Sequence, residues 1–178
     1  MSKIVISGYY GFANAGDEAM LTAIIKSLRS TEKSVELTVI SGNPEMTSAQ
    51  HQVNSIHRFN FFEIIKSLHV CDLLITGGGS LLQDVTSMRS LLYYLSILAL
   101  GVILKKKVML FGQGIGPINS RFLRKLTKLI CSHADLITVR DQDSLYELRR
   151  LGVPTQKVQL TADSVLTLPQ EGKDLGKG

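Results

Sequence analysis

Lys3-Ile4-Val5-Ile6-Ser7 runs without a break into Gly8-Tyr9-Tyr10-Gly11-Phe12-Ala13-Asn14-Ala15-Gly16-Asp17-Glu18, and a stripe of Leu21, Ile24, Ile25 and Leu28 follows. A short β-branched run closed by glycine, then apolar residues spaced for one helix face, is the pattern of a buried parallel strand turning into a helix. Working outward, the strand pattern recurs at Val35–Ile40, Asp72–Thr76, Lys107–Phe111, Asp135–Val139 and Lys157–Thr161, with Val53–Arg58 as a minor strand. Leu123, Leu126, Leu129 and Ile130 form a second helix face. Tyr146, Leu148 and Leu151 belong to a third helix, which Asp141 or Asp143 would cap. Leu91 to Leu104 is almost wholly apolar, but it is shorter than the ~20 residues a membrane span needs. It reads as a helix buried against the sheet. Strands alternating with helices imply right-handed crossovers, so the fold class is α/β: an open parallel sheet with helices on both faces.

With 178 residues, 44% of them hydrophobic, the chain can bury one sizeable core. Residues 1–168 read as one domain. Residues 169–178, from Pro169 through Glu171-Gly172-Lys173-Asp174 to Gly178, have almost nothing to bury and read as a linker or frayed tail toward a missing second domain. Cys71 and Cys131 have no metal or disulfide spacing, and His51, His57, His69 and His133 form no ligand motif, so no metal is expected. The net charge of +5 gathers in Lys105–Lys107, around Arg121 to Lys128, and at Arg149-Arg150. Such runs are either solvated helix faces or an attraction to phosphate-bearing substrates or an anionic membrane surface. Nucleic acid is disfavoured, because Trp is absent and aromatics are 6% of the chain. Met1–Ser7 lacks the features of a secretion signal, so a cytoplasmic location is expected, with peripheral contact at the inner face of the membrane as an extension of it.

In an open parallel sheet, ligands bind beyond the carboxyl ends of the strands, and there glycine appears three times. The loops are Gly8 to Glu18, Gly77-Gly78-Gly79-Ser80-Leu81-Leu82-Gln83-Asp84, and Gly112-Gln113-Gly114-Ile115-Gly116-Pro117. Gly11 and Gly16 have P-loop spacing, but Asp17-Glu18 stand where lysine and a hydroxyl residue would grip phosphate. The third loop is GxGxG rather than GxGxxG, and Ser41-Gly42-Asn43 replaces the ribose-binding acid, so a conventional NAD site is disfavoured too.

The candidate binding residues are therefore Gly8, Tyr9, Tyr10, Gly11, Asn14 and Gly16; Gly77, Gly78, Gly79, Ser80, Gln83 and Asp84; and Gly112, Gln113, Gly114 and Gly116. Amides and carboxylates among them suit sugar hydroxyls. Asp17 and Glu18 are candidates to orient or deprotonate a hydroxyl, while capping the following helix would account for them equally, at up to ~2 kcal/mol. Arg140 could hold a phosphate or carboxylate; a salt bridge to Asp141, Asp143 or Asp163 is the plainer role.

Taken together, GYYGFANAGDEA at Gly8–Ala19, GGGSLLQD at Gly77–Asp84, GQGIGP at Gly112–Pro117, VRD at Val139–Asp141 and TAD at Thr161–Asp163 resemble the polysaccharide pyruvyl transferase family. The resemblance runs from Met1 to about Leu168, roughly half of a typical member. It implies a Rossmann-like domain forming one half of a glycosyltransferase B-type fold, with the active site between two such halves. It further implies transfer of the enolpyruvyl part of phosphoenolpyruvate onto two hydroxyls of one sugar as a cyclic ketal. Phosphoenolpyruvate is then a donor substrate and no cofactor is needed. The implied acceptor is a cell-wall saccharide, lipid-linked and containing N-acetylmannosamine, held by the amino-terminal half. Asp17 or Glu18 would serve as base and Arg140 would bind an anion; without the second half the chain should be nearly inactive. Two other readings stand beside this one: half of a glycosyltransferase B-type enzyme using a nucleotide sugar, and a non-catalytic saccharide-binding domain.

Overall fold

A computed structural model describes residues 1–85 and 87–161; Asp163 and the expected tail at 169–178 lie outside the described residues. In chain order the elements are β1 (Lys3–Ser7), α1 (Ala15–Thr31), β2 (Glu36–Ser41), α2 (Pro44–His51), β3 (Asn54–His57), α3 (Phe61–Val70), β4 (Leu73–Gly77), α4 (Met88–Ile103), β5 (Lys107–Gln113), α5 (Arg121–Ser132), β6 (Leu136–Val139), α6 (Gln142–Leu151) and β7 (Val158–Leu160). The strands form one sheet in the order β3-β2-β1-β4-β5-β6-β7, and every pairing is parallel. The α/β open parallel sheet expected from the sequence is the fold.

Alternation along the strands divides the core between the two faces. Ile4, Ile6, Leu37, Val39 and Ile75 pack with Leu21, Ile24 and Ile25 of α1. Val5, Leu74, Val108 and Ile137 pack on the other side with Ile64 and Leu68 of α3, Leu91 to Leu98 of α4, and Leu148 of α6. The apolar segment beginning at Leu91 is thus a core helix, and among the described residues no helix is long and apolar enough to cross a membrane.

Each of the six α-helices among the described residues begins on a side-chain cap that accepts an orphan amide. The caps are Asn14, Asn43, Asn60, Ser87, Ser120 and Asp141. Asp141, not Asp143, caps α6, accepting from the Ser144 amide at 2.7 Å.

The structure departs from the sequence reading at three places. The α5 stripe is Leu123, Thr127, Ile130 and Cys131; Leu129, expected inside, is 58% exposed because its position turns it off the sheet. The helices α2 and α3 are not among those read from the sequence: α2 is a short polar segment, and α3 buries Ile64 and Leu68 while leaving Phe61 and Phe62 exposed. Finally, β5 runs on through Gly112 and Gln113, which the sequence placed in a loop, because Gln113 pairs with Val139 of β6 after a register shift.

Candidate functional site

Connections leave β1 and β4 toward opposite ends of the sheet, so the loops at their carboxyl ends part and leave a crevice. A cavity of about 720 Å³ occupies it. Tyr9, Asn14 and Asp17 line it from the β1 side, and Gly79, Ser80, Leu81 and Gln83 line it from the β4 side. The remaining wall comes from Arg58 and Phe59 after β3 and from Ser87, Arg89, Ser90 and Tyr93 at the start of α4.

The loop after β1 is held open by contacts that use several of the expected binding residues as fasteners. Gly11 sits at φ +79°, and a Cβ there would come within 2.5 Å of the Asn43 amide nitrogen; only glycine fits. Its N–H donates to Glu18 Oε1 at 2.8 Å, and Glu18 Oε2 faces His51 Nε2 at 3.3 Å. Glu18 is 8% exposed and points inward, so its side chain fixes the loop and does not reach the cavity. Tyr10 is fully buried. Its hydroxyl donates to the Gly77 carbonyl at 2.7 Å, tying the β1 loop to β4, and a Cβ on Gly8 would strike its ring. Both residues were expected to face a substrate, and both face the interior because the loop needs internal partners more than the crevice does.

Asn14 and Asp17 do reach the cavity. Asn14 also accepts from the amides of Gly16 at 3.1 Å and Asp17 at 3.4 Å, so capping and cavity lining coexist there. Asp17 lies against the second glycine loop: a Cβ built on Gly79 would stand 2.9 Å from Asp17 Oδ1. Burial first, and the Glu18 charge second, raise the Asp17 carboxyl above the usual range, with Arg140 pulling the other way.

The second and third glycine loops are stitched to each other. Gly78 and Gly79 take φ of +83° and +63°. The Gly114 amide then donates to the Gly79 carbonyl at 3.0 Å, and the Gly116 amide to the Leu82 carbonyl at 3.1 Å, so Leu82 and Ile115 continue the parallel pairing beyond the strands. Gln113 is fully buried, donating from Nε2 to the carbonyls of Gly79 at 3.1 Å and Gly78 at 3.4 Å. It shapes the glycine turn from beneath and, contrary to expectation, does not present its amide to the cavity. Gly112 donates to Thr138 Oγ1 at 2.7 Å, again within the core.

Asp84 is likewise committed, accepting from the amides of Asn119 at 2.8 Å and Ser120 at 2.9 Å at the start of α5. Burial pushes its carboxyl up, but these bonds and one from the Asn119 side chain together hold it below the usual range. Arg140 sits behind the second loop, donating from Nη2 to Ser80 Oγ at 2.9 Å and from Nε to Asp141 Oδ2 at 3.3 Å. The salt bridge and the position beside the cavity are therefore both realised. A Cβ on Gly114 would meet Ser80 Oγ at 2.6 Å and Arg140 Nε at 3.1 Å, so that glycine makes room for the pair.

Arg58, Phe59, Ser87, Arg89, Ser90 and Tyr93 line the cavity without having been singled out from the sequence. Arg58 closed a segment read as a minor strand, which was the one signal available. Its guanidinium carbon lies 4.6 Å from the centre of the Tyr93 ring, 5.1 Å from Phe59 and 5.3 Å from Phe12, and Tyr9 stacks on Phe12 at 4.3 Å. The cavity thus has a polar floor of Asn14, Asp17, Ser80 and Gln83 and a cationic, aromatic wall. Among the described residues no three His, Cys, Asp or Glu side chains gather as a metal would require.

Comparison with known proteins places this geometry. Residues 14–178 match the model of the family described as polysaccharide pyruvyl transferase. Amylovoran biosynthesis protein AmsJ of Erwinia amylovora is 25% identical over 203 residues, covering 91% of this chain and 48% of that protein. The chain therefore spans about half the length of the curated relative it matches. Among solved structures, the UDP-GlcNAc 2-epimerase of Methanocaldococcus jannaschii is similar with a TM-score of 0.63 at 10% identity, covering 93% of this chain and 46% of that one. Anabaena Alr3699/HepE in complex with UDP is similar with a TM-score of 0.61 at 12% identity, covering 90% and 44%. S. aureus MnaA with UDP gives 0.60 at 13%, covering 98% and 50%. At such identities the likeness is one of fold: a Rossmann-like sheet of the glycosyltransferase B type.

Proposed function

The chain belongs to the polysaccharide pyruvyl transferase family, and we propose that it forms the acceptor-holding half of an enzyme that moves pyruvyl from phosphoenolpyruvate onto a saccharide as a cyclic ketal. The observation that carries this reading is Asp17, a carboxylate of raised proton affinity on the wall of a crevice whose floor is otherwise amides and a hydroxyl. Such a group can accept a proton from a saccharide hydroxyl while Asn14, Ser80 and Gln83 hold neighbouring hydroxyls.

The reaction needs two hydroxyls. The first adds its oxygen to the central carbon of the enolpyruvyl group as the methylene carbon gains a proton. The second then attacks the same carbon, and the carbon–oxygen bond to phosphate breaks to release inorganic phosphate. Each hydroxyl gives up one proton, which is the work assigned to Asp17. Arg140, fixed by Ser80 and Asp141 beside the second glycine loop, would hold an anionic end of the donor. The acid that protonates the methylene carbon and further cations would come from a carboxyl-terminal domain across the cleft. No cofactor is required by this chemistry. The acceptor would be a cell-wall saccharide, lipid-linked, met in the cytoplasm at the inner face of the membrane.

The test is phosphate release and ketal formation by a protein of the relatives' full length that carries this chain, incubated with phosphoenolpyruvate and candidate saccharides. Asp17→Asn should lower turnover about 100-fold or more, the usual range for a general base. Wild-type turnover in that variant, or consumption of a nucleotide sugar in place of phosphoenolpyruvate, would overturn the proposal.

A further inference from the structure

Arg58 and Arg89 line the cavity that Asp17 also lines, and the pyruvyl-transfer reading leaves these two cations without a task. Arg58 is gripped by the rings of Phe12, Phe59 and Tyr93, and its backbone carbonyl accepts from the Tyr93 hydroxyl at 3.0 Å. Among the described residues its Nε is buried with no hydrogen-bond partner. No carboxylate pairs with Arg58 or with Arg89 among those residues, although Glu147 alone engages two arginines elsewhere. The Arg58 side chain also hydrogen-bonds that of Tyr93, but a guanidinium carries five donors and cannot shed its proton, so one packed against three rings with its Nε unmatched is a site prepared for an anion.

Arg89 falls on the same part of the wall. It precedes Tyr93 by four residues on α4, which puts the two on one helix face, and Tyr93 is the ring closest to the Arg58 guanidinium. The first turn of α4 contains no acidic residue, so the helix amino terminus adds to the field of the two arginines and does not offset it. Among the described residues Asp17 is the only carboxylate lining the cavity.

From this arrangement we infer a phosphate-binding subsite formed by Arg58 and Arg89 at the mouth of α4, in which the guanidinium of Arg58 is presented by its aromatic cage to a phosphate or diphosphate ester. The inference rests on the saccharide-modifying reading for its biological sense but not for its measurement. Two sources share this chemistry: the phosphate of phosphoenolpyruvate, and a phosphate carried by the saccharide acceptor.

The experiment is a binding titration of the 178-residue chain with inorganic pyrophosphate and, separately, with phosphoenolpyruvate. Calorimetry would report affinity, and two-dimensional NMR of the arginine Nε–H groups would report contact. Saturable binding that moves the Arg58 Nε–H signal is expected, weakened about tenfold or more by Arg58→Gln and by Arg89→Gln, as for hydrogen bonds to a charged partner. Arg58→Lys should recover part of the loss, and Arg121→Gln, on α5 and outside the cavity lining, should change nothing. Arg89 is exposed, so its variant keeps the test valid even if Arg58→Gln folds poorly. Tighter pyrophosphate binding identifies the acceptor's phosphate, and tighter phosphoenolpyruvate binding the donor's. Absent binding, or binding that Arg121→Gln weakens as much as Arg89→Gln does, overturns the subsite. Because no turnover is measured, failure here leaves the pyruvyl-transfer proposal standing, and failure of that proposal leaves this titration interpretable.

Discussion

Replacing Glu18 by alanine and Asp17 by asparagine should separate a residue that builds the crevice from one that works in it. Glu18 accepts the Gly11 amide at 2.8 Å and meets His51 at 3.3 Å, with side chains 10% and 4% exposed. A hydrogen bond to a charged group contributes about 1.5–3 kcal/mol, and the alanine variant also leaves a buried imidazole without its partner. Together these suggest a loss of roughly 2–4 kcal/mol, which for a chain of this size lowers Tm by roughly 5–15 °C. Glu18→Gln retains a carbonyl acceptor for Gly11 and should lose about half as much. Asp17→Asn removes a charge that burial disfavours, so its Tm should stay level or rise while turnover in the full-length protein collapses. Thermal melts followed by circular dichroism, beside the phosphate-release assay, read both effects. If the two variants melt alike, or if Glu18→Ala leaves Tm untouched and abolishes turnover, the division of labour between these neighbours is wrong.

Five further outcomes are expected. Tyr10→Phe removes the 2.7 Å bond to the Gly77 carbonyl in the core and should cost about 1 kcal/mol, read as a Tm drop of about 2–4 °C. Gly114→Ala crowds Ser80 and Arg140 at a position without positive φ, so turnover should fall severalfold more than stability explains, as a comparison of kcat with Tm would show. The folded Asp17 carboxyl holds its proton to higher pH than its unfolded value of 3.8; its contribution is therefore complete below that value and lost as pH rises through the folded one, so the Tm advantage of Asp17→Asn should grow from about pH 3 to pH 7. Asp141 has the opposite sign: burial raises it, but its bonds with Ser144 and Arg140 together lower it, so it should lose stability as pH falls through its folded value, and Asp141→Asn should flatten that limb of an acid melt. Gly42→Ala would drive a methyl into the Phe12 ring, whose Cε1 lies 2.8 Å from the added carbon; pyrophosphate affinity should drop severalfold in a chain that still melts cooperatively.

The strands were legible because each is a short apolar run with no competing period, and the glycine loops because they follow those runs directly. Positions next to a strand end can be read from the chain; the direction of a side chain cannot. Asn14, Asp17, Ser80 and Gln83 reach the cavity, whereas Tyr10, Glu18 and Gln113, equally close in sequence, turn inward. What decides between them is the demand of the loop backbone for partners: the Gly11 amide and the Gly77, Gly78 and Gly79 carbonyls are each met by one of the three inward residues. That demand appears only once φ is known at Gly11, Gly78 and Gly79.

The arginine wall was hidden for a different reason. Arg58 follows β3, which lies two strands from β1 across the sheet, so nothing in linear spacing brings it to a crevice between β1 and β4. Phe12 closes that gap. It leaves the β1 loop and crosses the end of β2 over Gly42, whose missing side chain is the only reason the ring can lie there. On the far side it meets the Arg58 guanidinium at 5.3 Å, while Tyr93 approaches the same group from α4 at 4.6 Å. Contacts of this kind contribute individually about 0.5–2 kcal/mol, more when desolvated, and three of them fix a long side chain that would otherwise sample many rotamers. The cage therefore does for Arg58 what Ser80 and Asp141 do for Arg140. Each cation is oriented before a ligand arrives, so less conformational freedom would be lost in binding the anion proposed for each.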